Sequence, residues 1–359
     1  MKLFDQPGME PIRSLLEDPE ITEIMINGPN QVYVERDGAM ELHPTRLRDV
    51  DQLAFLIETM INPTQREVNT SQPYVDFSLP DGSRVNVILP PLSLIGPVVT
   101  IRKFTKSIRR VDDLIRRGTL DDRMAELLLA AIRGQLNIVF SGSTGSGKTT
   151  TLNVLSSYIP SSERIVTIED TAELMLEQDH VVRLETRLPN AEGRGEVTIG
   201  DMFRNSLRMR PDRIIVGEVR SAEAVDMLQA IASGHEGSLV VLHAASPVEV
   251  ISRLEVMILS AGLQLPLWAV HRQISAALDL IVQQEQLPDG TRKIVDIAEV
   301  GDVIEGTVEV RNLFTYDRSA DAWRCTGVRP SFLDKLAHRQ VTLREEIFAP
   351  DESAGAERG

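Results

Sequence analysis

Residues 137–150 read Asn-Ile-Val-Phe-Ser-Gly-Ser-Thr-Gly-Ser-Gly-Lys-Thr-Thr, and residues 142–149 fill the pattern G-x-x-x-x-G-K-[ST] without a gap. Each residue type there answers a need of a bound polyphosphate. Gly142, Gly145 and Gly147 let the backbone turn successive N–H groups inward on an anion, with Ser143, Thr144 and Ser146 between them. Lys148 supplies a cation for the outer phosphates, and Thr149 a hydroxyl for a magnesium ion. Thr150 comes next, in the first turn of a helix whose positive end faces the same charge. A flexible glycine-serine loop has a similar composition. The apolar run Ile138-Val139-Phe140, which suits a buried strand, argues for the phosphate site.

Three more stretches put an acid or an imidazole at the end of an apolar run. Residues 164–168 read as a strand with Glu169-Asp170 at its carboxyl end. Ligands of open parallel sheets bind off that edge, so the pair nears the phosphate loop if the two strands are close neighbours, and is an ordinary acidic loop if they are not. Residues 213–218, Arg-Ile-Ile-Val-Gly-Glu, resemble a Walker B strand, whose terminal acid orients the attacking water or the hydrated magnesium. Residues 239–242 form another short strand, with His235 before it and His243 after it. Each histidine is a candidate phosphate contact and equally an ordinary structural residue.

The elements that must position these residues are legible as patterns. Residues 24–26, 32–35 and 40–42, separated by Gly28-Pro29-Asn30 and Asp37-Gly38, predict a small meander. Leu53, Leu56, Ile57, Met60 and Ile61 share one face of a helix predicted over 49–61, which Pro63 stops. Residues 75–79 and 84–89 flank Pro80-Asp81-Gly82-Ser83 as a hairpin, and 98–104 give another strand. Residues 1–104 therefore read as an α+β N-terminal domain, followed by a linker over 105–120 that carries Arg109-Arg110 and Arg116-Arg117. A second domain is expected over 121–320. It opens on an amphipathic helix at 122–133, has a loop at 186–200, and has a helix from 221 to 233 capped by Ser221. Ser246-Pro247-Val248-Glu249 is a capping box that starts a helix ending at Gly262, and 267–278 is a further helix. Residues 281–284 and 293–300 flank Pro288-Asp289-Gly290 as a hairpin, with a strand at 308–316. Residues 321–359 are expected to be a C-terminal segment ending in a loose tail.

A length of 359 residues suits two domains, and 42% hydrophobic with 25% charged residues suits a soluble globular protein. No apolar run approaches the roughly 18 residues of a membrane span, and no signal peptide is legible, so a cytoplasmic chain is expected. Cys325 is the single cysteine, which excludes an internal disulfide and a cysteine-rich zinc site. A net charge of −15 opposes bulk nucleic-acid binding, and 4% aromatic residues leave few stacking platforms. Protein partners fit better.

Taken together, these boxes resemble the ATPases of the type II and type IV secretion superfamily, and within it the motors of Tad-type pilus machines, related to the VirB11 proteins. The resemblance runs from about residue 15 to 315 and rests on separate signatures at residues 24–29, 79–86, 96–97 with 100–104, the phosphate loop, 167–170, 207–220, and 234–235 with 243–244. It implies an α/β fold, a RecA-like P-loop NTPase domain preceded by a smaller α+β N-terminal domain. It further implies a homo-hexamer that binds ATP and Mg2+ between the two domains, with the linker as a hinge. Glu169 matches the Asp-box acid, Glu218 the Walker B acid and His243 the His-box residue near the γ-phosphate. Arg84 and Arg102 match N-terminal arginines that reach toward the phosphates. The implied work is pilus assembly or secretion, with an inner-membrane platform protein as partner and a peripheral location at that membrane. The VirB11-type motor of a conjugation or effector system is the alternative. A RecA-like nucleic-acid motor and a low-activity regulatory ring are readings of another class.

The chain departs from the Tad pattern in Val240-Val241, where two threonines are usual, and in Ala245, where asparagine is common. Ser221-Ala222-Glu223-Ala224 replaces a commoner Gly-Gly-Glu-Ala, and the N-terminus is shorter than in many Tad motors. The first departure is expected to weaken how His243 is held. Four cysteines that bind zinc in some type II motors have no counterpart here.

Overall fold

Along the first hundred residues buried and solvent-facing side chains alternate, the two-residue period of strands buried on one face. In the computed structural model, which describes residues 3–36, 39–64, 66–103, 108–190 and 192–351, they form six strands. These are β1 (Ile21–Asn27), β2 (Val32–Arg36), β3 (Ala39–His43), β4 (Tyr74–Ser78), β5 (Arg84–Ile88) and β6 (Val98–Arg102), antiparallel in the order β3-β2-β1-β6-β5-β4. Ile24, Ile26, Val85, Val87, Val99 and Ile101 are buried with Leu53, Leu56 and Met60 of the helix Val50–Ile61 in one core. Asp49 caps that helix by accepting from the Gln52 N–H at 2.8 Å, which removes one orphan donor. Asp37-Gly38 and the end of the strand expected at 98–104 lie outside the described residues.

Two compact units emerge. One is Met1–Ser107 with Thr171–Met175 and Leu188–Glu196; the other is Ile108–Asp170, Leu176–Arg187 and Val197–Gly359. Within the stretch expected as a linker and the entry to the second domain, Val111–Arg116 is a helix with Val111 and Leu114 buried, and the second unit begins at Ile108. Its charges concealed the helix: Asp113 accepts from the Arg109 and Arg110 N–H groups, both at 2.9 Å.

Among the described residues the second unit holds nine strands, β7 (Ile138–Ser141), β8 (Ile165–Glu169), β9 (Val181–Glu185), β10 (Arg213–Val216), β11 (Leu239–Leu242), β12 (Leu280–Gln286), β13 (Arg292–Ile304), β14 (Thr307–Asp317) and β15 (Ala322–Cys325). Their order is β15-β14-β13-β12-β7-β11-β10-β8-β9, parallel from β12 to β9 and antiparallel from β12 to β15. Every residue of β7, β10 and β11 is buried, the run expected of strands covered on both faces. The helices Asp122–Arg133, Lys148–Ser156, Glu223–Ala232, Pro247–Ser260 and Leu267–Ala277 stand where the periodicity predicts them, within a residue or two at most ends.

Local chemistry explains the differences. β9 carries no buried apolar run: Val181, Val182 and Leu184 are partly buried, and Arg183 and Glu185 are exposed. The loop expected over 186–200 ends in the helix Ile199–Ser206, which Thr198 and Asp201 open with a reciprocal capping box. Ser221 does not cap the helix after β10; the Glu223 carboxylate instead accepts from the Arg220 and Ser221 N–H groups at 2.6 and 2.9 Å. In the C-terminal segment Phe332, Leu336, Ile347 and Phe348 are buried, and Asp351 pairs with Arg123 at 2.9 Å. Residues 352–359 of the expected tail lie outside the described residues.

Arg213, at the start of β10, has a fully buried side chain. Its guanidinium pairs with Glu163 at 2.5 Å and donates to the Ile132 carbonyl at 2.7 Å. Removing one partner of such a pair leaves the other charge poorly solvated. Arg213→Ala is predicted to lower the unfolding free energy by about 3 kcal/mol in urea titrations.

Candidate active site

Parallel strands all point their carboxyl ends at one edge of the sheet, so the segments that leave those ends gather there. β7, β11, β10 and β8 stand side by side, and the loop after β7, His243 after β11, Glu218 after β10 and Glu169 at the end of β8 share that edge. β8 is not the neighbour of β7; two strands separate them, about 14 Å at the usual spacing. Glu169 packs under the Glu218 segment: a Cβ added to Gly217 would meet Glu169 Cγ at 2.8 Å. Glu169 is buried, and only glycine fits above it.

The loop after β7 has the shape its glycines permit. Gly145 and Gly147 take φ of +79° and +98°, and Gly147 caps the helix Lys148–Ser156. Lys148 is buried and donates from Nζ to the Ser143 carbonyl at 2.6 Å. Ser146 Oγ is buried with no hydrogen-bond partner among the described residues. Thr149 and Thr150 are half-buried on the first helical turn, while Ser143 and Thr144 are exposed. A buried cation, a polar atom still to be satisfied and a helix N-terminus together fit a polyphosphate. Thr149 and the Glu218 carboxylate are hard oxygen donors of the kind magnesium takes.

Glu218 and His243 meet directly, with Oε1 and Nε2 3.2 Å apart. The other oxygen of Glu218 accepts from Arg220 Nη2 at 2.6 Å. Half-burial raises the Glu218 carboxyl, but the Arg220 guanidinium, with His243 and Lys148, outweighs it and holds the group below the ordinary glutamate value. Burial, helped by the Lys148 charge, pushes the His243 imidazole below the ordinary histidine value. Glu218 is thus ionised and His243 neutral near pH 7.

The loop carrying His243 is pinned residue by residue. The His243 carbonyl accepts from the Arg253 guanidinium. The Ala244 carbonyl accepts from Gln283 Nε2 at 3.1 Å and Ser141 Oγ at 3.5 Å. The Ala245 N–H donates to Glu249 at 2.7 Å, and Ser246 Oγ accepts from the Glu249 N–H at 3.2 Å. Val240 and Val241 take no part: both are buried, and Val240 lies within the main apolar core of the unit. Nothing in the sequence pattern marked Arg253 or Gln283 for this site. Only Arg220, two residues past the Walker B acid, carried a positional hint.

The structure does not bring every expected residue together. His235 precedes β11, so the four residues of that strand set it at the opposite edge from His243, about 13 Å along the strand direction. Its Nδ1 lies 3.2 Å from the Ala230 carbonyl. Arg84 and Arg102 belong to the first unit, where they are direct partners across β5 and β6 and share one face of that sheet. Arg84 pairs with Glu173 of the same unit at 2.6 Å.

Val240→Thr, which places a hydroxyl in the apolar core, should cost about 1–3 kcal/mol of unfolding free energy by denaturant titration.

Residues 5–324 match the family described as "Type II/IV secretion system protein". The chain is 33% identical over 313 residues to a Mycobacterium tuberculosis protein named "Putative conjugal transfer protein MT3759", covering 86% of this chain and 88% of that one. It is also 33% identical over 312 residues to the type IV secretion system protein VirB11 of Brucella suis, covering 79% and 86% of the two chains. In fold it is similar to the ATPase DotB of Legionella pneumophila, at 21% identity and a TM-score of 0.59 over 88% of this chain and 82% of that one. The chain belongs to the type II/IV secretion system protein family.

Proposed function

We propose that the chain is the ATP-hydrolysing motor of a secretion or pilus-assembly machine, working as a homo-hexameric ring. It is an ATPase. The observation that carries the mechanism is the ionised Glu218 in contact with a neutral His243 on the same sheet edge as the loop that holds Lys148. In that reading the N–H groups of the loop from Gly142 to Thr150 cradle the phosphates of ATP, and Lys148 moves from the Ser143 carbonyl to the outer phosphate. Glu218 orients the attacking water, and His243 fixes the carboxylate's direction through Nε2. Glu169 supports the Glu218 segment from below. Thr149 and Glu218 would hold Mg2+, which when bound neutralises charge developing on the transferred phosphoryl group. Arg84 and Arg102 are the proposed arginine fingers, a role that contributes about 10³ to 10⁵ in rate where it occurs.

The extended likeness to a conjugal transfer protein and to VirB11 supports a type IV secretion machine as the setting. The boxes at residues 24–29 and 79–86 support a Tad-type pilus machine as the second reading. In either setting the motor acts from the cytoplasmic side on an inner-membrane platform protein. Among the described residues, no helix is long and apolar enough to cross a membrane.

Lys148→Ala and Glu218→Gln are each predicted to lower the ATP hydrolysis rate at least about 100-fold. Glu218→Gln should keep nucleotide binding, and near wild-type turnover in both variants would refute the assignment. Light scattering with nucleotide present should report a hexamer; a strict monomer contradicts the ring.

The pH profile tests the Glu218–His243 pair. As pH falls through the depressed value of His243 the ring gains a charge, tightens on Glu218 and ties up the carboxylate. Turnover should therefore hold steady down to about pH 6.5, the ordinary histidine value, and fall only below it. An acid limb centred at or above that value rules out this coupling.

A further inference from the structure

The hairpin of β12 and β13 presses on the phosphate loop at several points. The Gln284 carbonyl lies so near Gly142 that a Cβ there would stand 2.0 Å from it. A Cβ on Gly147 would meet Gln284 Nε2 at 2.9 Å and Arg292 Cδ at 3.1 Å. The buried Gln284 accepts through Oε1 from Thr151 Oγ1 at 2.8 Å, inside the helix that the loop begins. Arg292, the first residue of β13, donates from Nε to the Gly145 carbonyl at 2.8 Å. None of these hairpin residues belongs to the phosphate pattern.

We propose that Arg292 is a positioning residue for nucleotide binding: by drawing the Gly145 carbonyl outward, it holds the Ser146 N–H turned into the phosphate cradle. This rests on the ATPase reading of the loop. The link is the peptide plane, since in a trans peptide the carbonyl and the next N–H point opposite ways. Ser146 N–H does face into the loop, toward the Ser143 carbonyl at 3.4 Å, a long hydrogen bond that a phosphate oxygen can replace. Gly145, at φ +79°, has the freedom to let this peptide swing, so an outside contact must set it.

Arg292 is itself held in place through its neighbours along β13. Lys293 Nζ lies 4.9 and 5.0 Å from the ring centroids of Tyr316 and Trp323 and pairs with Asp321 at 2.9 Å. Trp323 Nε1 donates to the Ile294 carbonyl at 2.7 Å. The start of β13 is thereby clamped to β14 and β15, and on the other side β12 is paired to β7, the strand that feeds the loop. The hairpin is a fixed post against which the loop is set.

A group that sets the loop acts on bound substrate and transition state alike, so its loss raises KM and leaves kcat nearly unchanged. The test uses the full chain, with binding of N-methylanthraniloyl-ADP and steady-state ATP hydrolysis measured for wild type, Arg292→Ala, Arg292→Lys and Lys148→Ala. Arg292→Ala is expected to weaken binding and raise KM about tenfold with kcat within about threefold, and Arg292→Lys, which keeps a cationic donor, to recover part of the loss. Unchanged binding in Arg292→Ala, or a fall in kcat at constant KM, overturns the proposal. Wild-type protein that binds no nucleotide, indistinguishable from Lys148→Ala, overturns the ATPase reading itself. If circular dichroism shows Arg292→Ala unfolded, Arg292→Gln decides by the same readouts.

Discussion

A phosphate-binding loop must leave its strand with several N–H groups turned toward one point, and the rest of the second unit is arranged to meet that demand. Such a turn needs glycine where the backbone enters left-handed space, as at Gly145 and Gly147, and it needs neighbours that hold so flexible a segment still. The neighbours are the strands on either side of β7. β11 brings the His243 loop, and β12 brings the glutamines and the hairpin that reaches Gly145. Gly142 and Gly147 are therefore doubly required, by the loop's own conformation and by the close approach of Gln284 and Arg292.

The same sheet sets the electrostatics. Parallel strands bring Lys148, Glu218 and His243 to one edge, where burial and charge work in opposite senses on the two titrating groups. Arg220 and Lys148 keep Glu218 ionised despite its partial burial, while burial and Lys148 keep His243 neutral despite the carboxylate beside it. A neutral imidazole beside an ionised carboxylate leaves that carboxylate its charge, which suits an acid that must direct a water molecule. The main chain of the loop at residues 243–245 is held by the side chains of Arg253, Gln283 and Glu249, while the side chains at 240 and 241 are buried.

Much of this was legible in the sequence because the decisive signals are local. Glycine spacing, four-residue apolar runs and terminal acids marked β7, β8, β10 and β11 and the residues beyond them. Strand order was not legible, since nothing local says that β11 and β10 lie between β7 and β8. His235 misled for a related reason: residues flanking one strand lie at opposite edges of the sheet, a consequence of strand direction that chain proximity hides. Arg292 and Gln284 were invisible because they reach the loop from more than 130 residues away, through a hairpin whose turn signal reveals its shape but not what it touches. The buried Arg213 was hidden likewise, its partners Glu163 and Ile132 lying on other elements.

The central claim is that the edge carrying Lys148, Glu218 and His243 is an ATP site. The most direct measurement is a crystal structure of the full chain grown with Mg2+ and a non-hydrolysable ATP analogue. The account predicts the triphosphate along residues 142–150, with the Lys148 ammonium transferred from the Ser143 carbonyl to an outer phosphate oxygen. An analogue bound elsewhere, with Lys148 still donating to Ser143, would contradict it.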